Sequence, residues 1–248
     1  MYIKQLTSIL IRVTMLASAF AAAVMVGSNA VHAQGTASPL RDHLDGSRLA
    51  ARRDSFVVVI QGAPRGWQVL SVAREGDGWT LGDAVAIDGM VSQASTMRFD
   101  ARLDELSLRQ EGVMMGKPMR ITLDAAGGRV KGTALTPSNP AGELAIDVPH
   151  TDGLVDDNAV ASLLAIVHWR EGLQIAFPVL ASGTGTVSQF TLRTLGKETV
   201  SVPAGQFDTW QVELRMNRAR MVANITTAAP YRVVRMSSGP AFEMQLAR

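Results

Sequence analysis

Trp210-Gln211-Val212-Glu213-Leu214-Arg215-Met216-Asn217 is the stretch that decides the fold. In an extended chain Trp210, Val212, Leu214 and Met216 fall on one side. Gln211, Glu213, Arg215 and Asn217 fall on the other. Successive side chains of a strand point to opposite faces, so this pattern means one apolar and one wet face, as in an antiparallel sheet. The alternation recurs at Met221, Ala223, Ile225 and at Phe242, Met244, Leu246. Upstream it appears at Met97 and Phe99, at Met119, Ile121 and Leu123, and at Leu144, Ile146 and Val148. Phe56-Val57-Val58-Val59-Ile60 is a β-branched run suited to a buried strand. Gly62, Pro64 and Gly66 break it, and Gly76-Asp77-Gly78 and Asp124 to Gly128 are turns.

One segment departs from this rhythm. Ala159, Val160, Leu163, Leu164, Ile166 and Val167 have helical spacing, and Asp156 suits an N-cap with Asp157 in the first turn. The expected fold is mainly β: a single curled antiparallel sheet or half-barrel, with one amphipathic helix at about 157–168 against its concave face. Residues 34–54, rich in Arg and Asp, read as a charged leader, with Leu44 and Leu49 facing inward if they fold. Residues 55–248 read as a single β-rich domain.

The first 33 residues read as an address. Lys4 and Arg12 precede and flank an apolar stretch from Val13 to Val26, and Val31-His32-Ala33 is a small-x-small exit. This is the pattern of a secretory signal peptide cut after Ala33, and the apolar core is too short for a comfortable span. Periplasmic localisation is therefore expected, with no stable membrane span after cleavage. Cleavage removes two basic residues and leaves 22 basic against 22 acidic. A neutral chain gives no bulk electrostatic reason to expect a nucleic acid partner. The charge is uneven, with eight basic and four acidic residues from Arg193 onward. With 0 Cys, disulfides, thiolate metal sites and cysteine nucleophiles are excluded.

Candidate chemistry is sparse. No G-x-S-x-G elbow occurs, and Gly183-Thr184-Gly185-Thr186 reads as a turn. His43, His150 and His168 lack partners at metal-ligand spacing. A site built from His150, Asp152 and His168 requires the helix to fold back. Asp104-Glu105 and Asp156-Asp157 are adjacent carboxylates that diverge on either kind of element, and solvated charge is the expectation. The nine methionines after Ala33 read as core filling or as the lining of an adaptable cavity. No cofactor and no metal site is read from these residues.

Gly196, Glu198, Val200, Val202, Pro203, Ala204, Gly205 and Phe207 form a strand, a Pro-Ala-Gly turn and a second strand. Pro230, Arg232, Val233, Val234 and Arg235 follow, and Val155, Asp156, Asn158 and Ala159 open the helix. This set resembles an uncharacterised proteobacterial periplasmic family, domain of unknown function 3108. The resemblance implies a curled sheet with a helix in its hollow, comparable to lipoprotein carriers, and no activity. Pro203, Ala204, Gly205, Phe207, Pro230 and Arg232 are its structural residues.

The resulting expectation is a non-enzymatic periplasmic protein that binds or carries an apolar small molecule or lipid. Trp67, Trp79, Leu163, Val167, Trp210, Val212, Leu214 and Met216 would line its hollow. An envelope protein–protein interaction module is the alternative, using a sheet edge or the basic face around Arg215, Arg218 and Arg220. A hydrolase assembled from distant residues is a further alternative. If Leu163, Leu164 and Val167 fill the hollow, attention passes to the outer surfaces.

Overall fold

A computed structural model describes residues 40–216 and 219–248. The expected signal peptide, the cut expected after Ala33, and Arg218 lie outside the described residues. Fifteen strands form one sheet. They are β1 (Arg52–Ile60), β2 (Ala63–Glu75), β3 (Gly78–Ile87), β4 (Val91–Phe99) and β5 (Glu105–Met114). Next come β6 (Lys117–Ala126), β7 (Arg129–Leu135), β8 (Leu144–Pro149), β9 (Val155–Asp156) and β10 (Gln174–Ala181). The last are β11 (Thr186–Val202), β12 (Gly205–Met216), β13 (Ala219–Thr226), β14 (Val233–Ser237) and β15 (Phe242–Leu246). The only α-helix among the described residues, α1, spans Val160–Leu164.

The spatial order runs from β8 back to β1, then β15 back to β9. Each strand except β8 therefore neighbours its successor in sequence, and β1 pairs with β15 from Phe56↔Leu246 to Ile60↔Phe242. The break falls between β8 and β9. All ladders are antiparallel except the short β9–β10 pair. The expected curled, open sheet is what the chain forms.

Alternation explains the curl. β4 reads half-buried, exposed, buried, exposed along its length, with Gln93, Ser95, Met97 and Phe99 inward. The inward faces of both halves merge into one core that includes Phe56, Met97, Ile121, Phe177, Phe190, Leu214 and Met244. Close approach of neighbouring strands uses glycine. A Cβ on Gly132 would stand 1.8 Å from the Thr122 carbonyl oxygen, and one on Gly112 2.3 Å from that of Ser92. The two sheet edges face each other across a seam. There the Thr136 hydroxyl donates to the Gly183 carbonyl at 3.4 Å, and a Cβ on Gly185 would stand 3.5 Å from the Ile146 side chain.

α1 is shorter than expected. Asp156 joins Val155 in β9 instead of capping the helix, and Ala159 at the cap makes no side-chain hydrogen bond. Past Leu164 the chain turns so that Val167 bridges Leu44, and the Asp45 N–H donates to the Ile166 carbonyl at 2.9 Å. Residues 40–48 form two short 3-10 turns, with Leu40 and Leu49 buried in the core and Leu44 half-buried.

Candidate functional site

The hollow is the first candidate. α1 crosses its middle, packing on β2 and β14. Leu163, Leu164, Ile166 and Val167 are all at most 2% exposed. Val212, Leu214 and Met216 are buried in the same core. Trp79 and Trp210 are half-buried at its margin, with the Arg74 and Lys197 cations over their rings at 5.1 and 4.6 Å. Trp67 is a correction. In β2 the even-numbered Gln68, Leu70 and Val72 face inward, so Trp67 points outward and is 49% exposed. Sequence reading also missed a polar stripe on the concave face: Gln68, Asp83, Gln93, Ser95 and Gln110 are all buried. The Gln68 amide donates to both Asp83 oxygens at 2.8 and 2.9 Å. Burial still pushes the Asp83 carboxyl up to about 7.

The seam is the second candidate. Glu105 at the start of β5 accepts the Asp156 N–H at 3.1 Å. Asp156 Oδ1 accepts from the Asn158 backbone and side chain, at 2.9 and 2.7 Å. Asp157 accepts from the Ser182 hydroxyl at 3.0 Å. Asp156 is buried, Glu105 and Asp157 half-buried, and Asp156 Oδ2 has no partner. All three carboxyls are pushed up, by burial first; for Asp156 the charges of Asp157 and Glu105 add to it. The solvated carboxylates expected from sequence are thus a correction. Their meeting depends on the curl bringing β9 to β5. Ser107, His150 and Leu154 line the same space, whose volume is about 20 Å³. That is room for about one water and for no organic substrate.

The three candidate residues His150, Asp152 and His168 have separate surroundings. Asp152 pairs with Arg41 at 3.3 Å. His168 Nδ1 lies 2.9 Å from Arg48 Nη2, so it accepts, and its Nε2–H points at Asp45 at 2.9 Å. The Ser47 hydroxyl donates to the other Asp45 oxygen at 2.5 Å. A nucleophilic triad needs the imidazole between hydroxyl and carboxylate; here the carboxylate stands in the middle.

The profile of the family described as Protein of unknown function (DUF3108) matches residues 55–241. The chain belongs to this family. No curated protein matches it. Three solved structures are similar to it at low identity. A β-barrel-like protein of domain of unknown function DUF1849 from Brucella abortus aligns at TM-score 0.49 and 15% identity, covering 79% of this chain and 96% of that one. The hypothetical lipoprotein YmcC from Escherichia coli aligns at TM-score 0.32 and 11% identity, over 82% and 87%. A putative exported protein with a YmcC-like fold from Bacteroides fragilis aligns at TM-score 0.31 and 11% identity, over 79% and 93%.

In this DUF3108 member the two motif stretches meet. Glu198 on β11 accepts from Gln211 on β12, Asn224 on β13 and Arg235 on β14, at 3.0, 2.6 and 3.1 Å. The DUF3108 strand motifs are thereby tied across four neighbouring strands on the outer face. Pro203 and Ala204 turn the chain between β11 and β12, and the Ala204 N–H donates to the Leu246 carbonyl at 3.0 Å. Phe207 packs half-buried against the core, and Pro230 follows a cis peptide bond. Arg232 reaches Asp54 on β1.

Proposed function

We propose that this protein is a non-enzymatic binding protein of the bacterial envelope, exported to the periplasm, that engages another envelope protein through its outer surface. The observation carrying this reading is the filled hollow: the helix side chains that would yield to a ligand are packed into the core. The outer face of the first half supports it. Val57, Trp67, Ala86, Ser92, Val113 and Pro118 stand in one cross-strand row from β1 to β6. Trp67 and Val113 are 49% and 46% exposed, and Arg109, Glu111 and Arg120 border the row. An exposed aromatic anchor with apolar neighbours and a charged rim is the usual build of a protein-binding patch.

The carrier reading keeps one specific support, the buried polar stripe around Asp83, which a purely structural core does not require. One pair of measurements separates the two. A photo-crosslinking residue at Val113 should give a discrete adduct in the native envelope, reduced by Trp67→Ala, with none from Thr199 on the other half. Protein extracted from its host should carry no stoichiometric lipid by mass spectrometry. A lipid at one-to-one ratio, without the adduct, overturns the surface reading.

A further inference from the structure

The turn Gly46–Arg48 and the loop Ala229–Arg232 face each other across an open groove of about 690 Å³. Ala50, Ala51, Ala229 and Pro230 make its apolar walls. Three arginines line it: Arg48, Arg52 and Arg232. Arg52 Nε donates to Asp54 Oδ2 at 3.0 Å, and Arg232 Nη1 lies 3.3 Å from Oδ1. One carboxylate, 4% exposed, therefore serves two guanidinium groups that are themselves 11% and 23% exposed. Arg52 Nη1 and Arg232 Nε are buried and have no acceptor among the described residues. Arg48 lies over the Tyr231 ring at 4.3 Å and donates to the Val167 carbonyl at 3.0 Å. Its carboxylate, Asp45, is shared with Ser47 and His168.

Half-buried positive charge with too few carboxylates is unfavourable until an anion completes it. Guanidinium forks pair best with oxyanions. The three forks come from three separate elements, so an anion with oxygens in several directions suits them better than a planar carboxylate. We propose that this groove binds a phosphate group, with the alanine and proline walls taking the carbon atoms attached to it. The inference goes beyond the proposed partner surface, which lies elsewhere on the sheet, and does not depend on it.

Two arms test it: calorimetric titration with inorganic phosphate at constant ionic strength, and co-sedimentation with phosphatidylglycerol vesicles. Arg232→Gln and Arg48→Gln should each weaken binding about tenfold, the worth of about one charge-assisted hydrogen bond. Circular dichroism checks folding, and Arg48→Gln decides the matter if Arg232→Gln misfolds. Saturable phosphate binding lost in the variants assigns a free phosphate. Vesicle binding alone, lost in the same variants, assigns a lipid headgroup. Binding in neither arm, or binding equal in wild type and both variants, overturns the proposal.

Discussion

Asp83 occupies an inward position of β3 between Leu81 and Val85, where alternation calls for an apolar side chain. That signal is present in the sequence: a carboxylate shares the parity of its apolar neighbours. Its consequence is a pH dependence with a definite sign. The folded-state carboxyl is raised to about 7, against about 4 when unfolded. Its contribution to stability is therefore complete below pH about 4 and is lost as pH rises through about 7. Asp83→Asn should flatten the fall in urea midpoint between pH 4 and 8, and parallel curves for the two proteins would count against this account. Asp54 is the anion between two arginines. Asp54→Ala leaves both guanidinium groups half-buried and unpaired, so a loss of about 3 kcal/mol in denaturant unfolding is expected. The seam carboxylates were not legible in the same way. Glu105 and Asp156 lie far apart in sequence, and only the closure of the sheet brings them together.

At the level of elements, the strands were readable and the helix only partly so. Strand parity depends on local alternation: Val212, Leu214 and Met216 of β12 and Phe242, Met244 and Leu246 of β15 are buried as the sequence implies, with Trp210 half-buried. The helix ends were set by distant partners: β10 takes Asp156 into a ladder, and the turn at 40–48 captures Ile166 and Val167. A five-residue helix without a side-chain cap has no stability of its own. Its persistence rests on burial, so Leu164→Ala should cost about 2–5 kcal/mol. The half-buried Ala161, changed to Gly, should cost about 1 kcal/mol or less. Equal losses in the two variants, read from denaturant midpoints, would contradict a helix held by packing. Strand crossings are the other sensitive points. Gly132→Ala must displace the β6 backbone at Thr122 and is expected to lower the midpoint even though nothing but a methyl is added.

Across the whole molecule, the mainly β character was legible because turn signals separate short alternating runs throughout. The pairing of β1 with β15 was not, since nothing local in either strand names its partner. Removing residues 40–51 should lower the thermal midpoint and raise the fluorescence of an apolar dye, because Leu40, Leu49 and the Leu44 bridge cover the end of the helix segment. An unchanged dye signal would mean that the segment is not a cover. The strand order has a mechanical consequence. The start of β1 and the end of β15 lie side by side, with the Ser55 N–H donating to the Arg248 carbonyl at 3.1 Å. Tension applied between those two points would open the β1–β15 ladder one hydrogen bond at a time, like a zipper. The molecule would part into two continuous ribbons, β1–β8 and β9–β15, hinged at the connection between Pro149 and Val155.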